Sequence, residues 1–258
     1  MSFSLKEIRR LGQEARRPGD TKYGIYIARP ISRYITWAML RTNISANGFT
    51  FFFLLFGLLS CGFLLHGGYG HILIGMVMFN IWYILDHVDG EMARCRKNVT
   101  LTGVYLDSMS HYIIHPVMLA SIGFGLFNRT GLRAPLIWSI VCGFNLMLIT
   151  VLTDLKFSIL WQKFGSENSD KKELPDRERE AHRDTLSVAA RLFSLIHSLC
   201  TFPNVIVYLS IFAVLDFFIK GDWFYSGVII LTILSGVVWS MKTAYIVLTK
   251  QLDKEKKR

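Results

Sequence analysis

The chain of 258 residues is 52% hydrophobic and 14% aromatic with a mean hydropathy of +0.36, a balance that speaks against a soluble protein and for one compact domain whose solvent includes lipid. Lys and Arg outnumber Asp and Glu by 29 to 19. Because the basic residues track the edges of apolar runs, the surplus argues for membrane topology and against nucleic-acid binding.

Residues 1–22, MSFSLKEIRRLGQEARRPGDTK, are polar and basic and lack the apolar core of a cleavable leader. They are expected to form a charged, surface-lying cytoplasmic arm. The next stretch, YGIYIARPISRYITWAMLRTN, mixes Tyr, Ile, Trp and Leu with Arg29, Arg33 and Arg41, the composition of an amphipathic helix in the membrane interface. Such a helix serves either as an anchor or as part of an active-site mouth. NISANGFT then opens the first of six apolar windows, at about 48–66, 71–92, 103–127, 134–161, 186–218 and 223–248. Crossing the hydrocarbon core takes about 20 such residues. HGGYG marks a tight turn after the first window. Residues 162–185 are dense in charge and predict a cytoplasmic loop, and Pro203 predicts a kink or break in the fifth span.

Lys and Arg crowd the amino-terminal arm, the CRKN turn, the 162–185 loop and the 251–258 tail, whereas the opposite side keeps Arg129, Arg133 and Lys220. The positive-inside rule therefore puts both termini and the CRKN turn in the cytoplasm. The expected fold is an all-α integral membrane protein, six transmembrane helices preceded by an amphipathic interfacial helix, with residues 23–250 forming a single domain. Cys61, Cys95, Cys142 and Cys200 are widely separated, so neither a disulfide framework nor a zinc site is expected.

One segment breaks the apolar pattern. LDHVDGEMARCRKNVTLTGVYLDSMSH, residues 85–111, carries Asp86, Asp89, Glu91, Arg94 and Asp107 at or near bilayer depth. On helices, Asp86 and Asp89 share one face within a turn, as do Asp107 and His111. An antiparallel hairpin through CRKNVTLT would let these four side chains converge. Carboxylates at depth cost several kcal/mol each unless paired or metal-bound, and three together also repel one another. Divalent cations solve both problems; oxygen ligands favour Mg²⁺, Mn²⁺ or Ca²⁺ over zinc, and such ions also grip a pyrophosphate. Gly90, Ala93 and Gly103 are small enough to admit a bulky ligand against the backbone, and the planar fork of Arg94 suits a phosphate or a neighbouring carboxylate.

This spacing resembles the signature of the CDP-alcohol phosphotransferases, D-x2-D-G-x2-A-R-x8-G-x3-D-x3-D. Seven of its eight identities stand here; the last acid is replaced by His111. The resemblance extends to Asn47 and Thr50 in NISANGFT, which match a P-N-x-x-T-like element with Ala46 in place of its proline. It implies a transferase in which an acceptor hydroxyl attacks the β-phosphorus of a CDP-linked donor and displaces CMP. It further implies one or two Mg²⁺ or Mn²⁺ ions held by Asp86, Asp89, Asp107 and His111. The nucleotide would lie against Asn47, Thr50, Asp86, Asp89, Gly90, Ala93, Arg94 and Gly103, and His111 would stand at the position of the general base. A hydroxyl acceptor, with lipids among the alternatives, the surrounding membrane lipids and a second copy of the chain in a homodimer are the implied partners. A family branch with Y-L-D-x-x-x-H among bacterial cell-surface members points to a prokaryotic inner membrane, with the site on the cytoplasmic side, and to phospholipid or surface lipid and glycan synthesis.

An imidazole can act as a base near neutral pH, so His111 preserves proton removal. It also leaves the metal-bound site one unit more positive. His115, one turn on, either extends this pair or packs as a structural histidine. For the acceptor, Lys156 and Arg191 are the foremost candidates among Asp154, Lys156, Arg191, His197 and Lys242, against the alternative of snorkelling or structural ion pairs. Two other classes remain in view. A transporter would spread its acids over several spans near the midplane; a non-catalytic scaffold would explain the missing fourth acid.

Overall fold

The computed structural model describes residues 3–14, 21–164 and 195–249, and all regular structure within them is helical. A short helix α1 (Leu5–Ile8) is started by a capping box, in which Glu7 N donates to the Ser4 hydroxyl and the Glu7 carboxylate accepts from Ser4 N. A π turn (Arg9–Gln13) follows. A second π turn (Gly24–Ala28) runs into α2 (Arg29–Met39), which has Pro30 in its first turn, where a missing N–H costs nothing. The six long helices are α3 (Ala46–Leu65), α4 (Tyr69–Cys95), α5 (Leu101–Thr130), α6 (Ala134–Phe164), α7 (Phe202–Ile219) and α8 (Trp223–Thr249). Each is long and apolar enough to cross a membrane.

The amphipathicity of α2 is turned inside out relative to a soluble helix. Ser32 and Thr36 are fully buried against α4, while Ile31 and Tyr34 are exposed. With lipid as the outer solvent, the apolar face looks outward and the polar face finds partners within the protein.

Helix α3 packs on both α4 and α5; α5 packs on α6, α6 on α8, α8 on α7, and α7 returns to α4, closing a ring. The expected tight α4–α5 hairpin is not present as such, because α4 and α5 are not a closely packed pair among the described residues and both lean on α3. Buried Phe53, Phe79, Trp82, Ile114 and Met118 fill the space they share. Near the motif the filling stops and a cleft opens.

Local rules explain the ends. Helix α4 stops in a Schellman motif: Lys97 adopts φ 53°, Asn98 N donates to Ala93 O at 2.9 Å and Lys97 N donates to Arg94 O at 3.1 Å. Thr100 then caps α5 by accepting from Gly103 N at 3.0 Å. In the HGGYG turn Gly67 has φ +75°, and a Cβ there would strike the carbonyl of Gly125 on α5. No other residue meets both demands.

At the end of the bundle away from the motif, Asp216 of α7 is 1% exposed. It accepts from Arg129 of α5 at 3.1 Å and from Phe224 N at the start of α8 at 3.1 Å. This acid inside a span is neutralised by a structural ion pair.

Two expectations need correction. The fifth span is not one helical window from about 186, but the break expected at Pro203 is present: residues 195–199 form a separate helical stretch, and α7 begins at Phe202 with Pro203 in its first turn. Proline is tolerated at a helix start and not in an interior, so it sets the boundary instead of bending the span. Residues 186–194 lie outside the described residues. The amino-terminal arm is also not merely surface-lying. Ile8 is buried, and the π turn at 9–13 packs on α4.

Candidate active site

Asp86 and Asp89 project from neighbouring positions of α4 toward different partners. Asp86 Oδ1 lies 3.0 Å from His111 Nε2 of α5, and the same nitrogen is 3.5 Å from Asp107 Oδ1 one turn earlier on α5. Donor atoms of Asp86, Asp107 and His111 all fall within 4.8 Å of one another. Asp89 stands apart from that group and accepts from the Thr50 hydroxyl of α3 at 2.7 Å. The structure thus brings together three of the four acids and imidazole expected from the spacing, and holds the fourth on the α3 side.

The second nitrogen of His111 is also engaged. His111 Nδ1 lies 3.2 Å from His115 Nε2, and the His115 ring stacks on Phe202 with centroids 3.2 Å apart. Trp82 presents its ring at right angles to both histidines, with centroids at 5.4 and 6.1 Å. Buried Trp82 therefore packs on both imidazoles, and half-buried Phe202 fixes the His115 ring.

The cluster sits on the wall of a cleft of about 470 Å³. Asp86, Asp89, Arg94, Asp107 and His111 give it polar lining, and Trp82, Pro116, Met147, Phe202 and Pro203 give it apolar lining. A smaller pocket of about 60 Å³ adjoins it, lined by Asn47, Thr50, Asp89, Gly90, Ala93, Arg94, Gly103 and Asp107 among others. Asp89, Gly90, Arg94 and Asp107 border both spaces. The glycines have steric reasons: a Cβ on Gly103 would come within 2.9 Å of Asn47 Oδ1, and one on Gly90 within 3.1 Å of Arg94 Nη1. A side chain larger than hydrogen at either position would force the Asn47 amide or the Arg94 guanidinium to shift.

The acceptor candidates are less informative. Nothing is described of the Lys156 side chain, and Arg191 lies outside the described residues. Asp154 lines the cleft and accepts from the Tyr112 hydroxyl. Lys242 donates to Thr153 Oγ1, and burial, together with the Lys242 charge, holds His197 below the ordinary imidazole range.

The motif spacing alone gives Glu91 no role. It is 1% exposed and accepts from Gln13 Nε2 at 2.8 Å, Ser32 Oγ at 2.7 Å and Thr36 Oγ1 at 2.6 Å. Its position between two motif residues was visible; its partners come from segments 55 to 78 residues away, and no local pattern reveals them.

A divalent cation suits this donor set. Two carboxylates and one imidazole supply hard oxygen with a single nitrogen, a combination compatible with Mg²⁺ or Mn²⁺. Asp86 Oδ1 is buried without an aligned hydrogen bond despite its closeness to His111. A buried acceptor in that state is stabilised by a cation.

A comparison with curated proteins finds no match. The family model described as CDP-alcohol phosphatidyltransferase matches residues 43–172, a stretch that contains α3, α4, α5 and α6 and with them both pockets' motif residues. With the motif, six spans and an acid–imidazole cluster at one end of the helices, the chain belongs to the CDP-alcohol phosphatidyltransferase family.

Proposed function

We propose that the protein is a membrane-embedded, metal-dependent transferase that moves a phospho-alcohol group from a CDP-alcohol donor to an acceptor hydroxyl and releases CMP. The observation that carries this reading is the convergence of Asp86, Asp107 and His111 within 4.8 Å beside a small pocket bordered by Asn47, Thr50, Gly90 and Arg94. One or two Mg²⁺ or Mn²⁺ ions, held by Asp86 and Asp107 with Asp89 at the pocket edge, would neutralise the donor's pyrophosphate and leave the single lone pair of a neutral His111 for proton transfer.

The chain's own groups supply the rest. Asn47 and Thr50 face the cytidine, Gly90, Ala93 and Gly103 let it approach the helix backbones, and the Arg94 fork takes a phosphate. His111 receives the proton of the acceptor hydroxyl as that oxygen bonds to the β-phosphorus. The bond from β-phosphorus to the bridging oxygen breaks, and CMP leaves with its electron pair. The apolar lining of the cleft, Trp82, Pro116, Met147 and Phe202, supports an acceptor that is a lipid or lies beside one. Lys156 and Arg191 remain proposed contacts for a phosphate on that acceptor. The reading includes a homodimer, both termini and the site on the cytoplasmic side of a prokaryotic inner membrane, and a role in phospholipid or surface-polymer synthesis. The transporter reading is disfavoured because the clustered acids gather at one end of two helices.

The test is CMP release by the purified chain with CDP-diacylglycerol and a panel of small CDP-alcohols in Mg²⁺ or Mn²⁺. Metal-dependent CMP formation with at least one donor is the expected result. Silence with every donor would assign the chain to a non-catalytic scaffold.

A further inference from the structure

The segment before α2 precedes the family-matched residues and contributes nothing to the acid–imidazole cluster. It nevertheless touches two side chains of the motif helix. Arg94 Nε donates to the Gly12 carbonyl at 2.7 Å. Gln13 Nε2 donates to Glu91 Oε1 at 2.8 Å and to Arg29 O at 2.7 Å, and Arg29 returns a hydrogen bond to Gln13 O. Gly12 itself lies so close to α4 that a Cβ there would meet Cys95 Sγ and Glu91 Cβ at 3.4 Å.

These contacts are built rather than incidental. Gln13 is 8% exposed, Glu91 1% and Ile8 0%, so the segment is anchored by an apolar side chain and by a buried polar network. The Glu91 carboxylate faces neutral donors from the segment and from α2, which clamps both onto α4. A buried acceptor that loses a donor is destabilised, so the clamp resists release.

The contact with Arg94 carries the consequence. An arginine has a long flexible stem, and its planar fork binds phosphate well only when its orientation is set beforehand. A carbonyl on Nε sets that orientation while the terminal nitrogens lie over Gly90, at the border of both spaces.

We propose that the amino-terminal segment is a structural part of the nucleotide pocket: Gln13 and Glu91 are positioning residues that act through the Gly12 carbonyl to preset the Arg94 fork for the phosphates of a cytidine nucleotide. This rests on the nucleotide reading of the small pocket given above.

The test uses the full chain in detergent with CDP and Mn²⁺ as the probe, binding being followed by calorimetry. The wild-type chain must bind CDP; if it does not, the nucleotide reading itself fails before any variant is made. Gln13→Ala should weaken CDP binding about fivefold to tenfold, the scale of one lost hydrogen bond in a preorganised site; it should also lower the nucleotide-free melting temperature, because buried Glu91 loses a donor, so binding is measured well below the transition of the variant. In turnover with a CDP-alcohol it should raise the donor KM and hold kcat within about twofold, as loss of uniform binding does. Arg94→Lys removes the Nε donor, so the double variant should bind no more weakly than Arg94→Lys alone. Additive losses, or a Gln13→Ala affinity equal to wild type, would overturn the proposal. Should Gln13→Ala fail to fold, Gln13→Asn, which keeps the amide but cannot span Glu91 and Arg29 O together, enters the same cycle with the same expected and overturning results.

Discussion

Imidazole in place of a carboxylate at position 111 changes charge, ligand softness and proton chemistry at once. His111 Nε2 faces Asp86 and Asp107 while Nδ1 faces His115, so the ring is held by both nitrogens. The bound site becomes less anionic by one unit, and nitrogen ligands move preference along the series from Mg²⁺ toward Mn²⁺. Two variants separate base from ligand. His111→Ala should retain metal-dependent CDP binding within several-fold and lower turnover by about a hundredfold or more, the usual contribution of a positioned base. His111→Asp should bind CDP and shift half-saturation toward lower Mg²⁺ relative to Mn²⁺. Near-normal turnover in the alanine variant would remove His111 from the proton-transfer role. The residues of this site were legible as types and spacings, because a run of acids in an apolar segment has few stable explanations. Their sorting into an Asp86–Asp107–His111 group and a separate Asp89–Thr50 pair was not, since a helix of 3.6 residues per turn puts Asp86 and Asp89 about 60° apart, and the neighbours decide which helix each one meets.

Among the elements, α5 is tied at both ends. At the motif end it carries Asp107 and His111; at the other end Arg129 joins it to Asp216 of α7, which also accepts from the first turn of α8. Removing one member of a buried pair typically costs about 3–5 kcal/mol, and less here, because Arg129 keeps a second, exposed acid, Asp222, at 3.5 Å. Asp216→Ala should therefore lower the melting temperature of the purified chain while leaving CDP affinity at the opposite end unchanged. An unaltered melting temperature would show that Arg129 finds equivalent compensation elsewhere. The six spans were readable from apolar length, whereas the ends of the fifth were not, because hydropathy continues across a boundary that Pro203 imposes on the backbone. The absence of a tight α4–α5 seam was likewise hidden. Sequence neighbours joined by a short turn usually pack together, but here both helices rest on α3 and leave between them the volume that the cleft occupies.

For the molecule as a whole, the cleft is framed by pieces from distant parts of the chain: α4 and α5 supply the charged wall, α6 and α7 supply Met147, Phe202 and Pro203, and the amino-terminal segment braces Arg94. Ligand binding that requires a cation links nucleotide affinity to stability. CDP with Mn²⁺ should raise the melting temperature of the chain in detergent, chelator should abolish the rise, and added Mn²⁺ should restore it. A rise that survives chelation would mean that the carboxylates are not neutralised by a metal. By itself the sequence determined the all-helical membrane class, the number of spans and the residue types of the acid–imidazole cluster, because apolar length and motif spacing are local properties of the chain. Only the tertiary structure decided that α2 turns Ser32 and Thr36 inward, that Glu91 gathers an amino-terminal segment onto the motif helix, and that Trp82 packs on both histidines while Phe202 fixes the His115 ring. Those outcomes depend on which buried polar groups find partners across tens of residues, and the free energy of a satisfied hydrogen bond in a low-dielectric interior is set by that meeting, not by either residue alone.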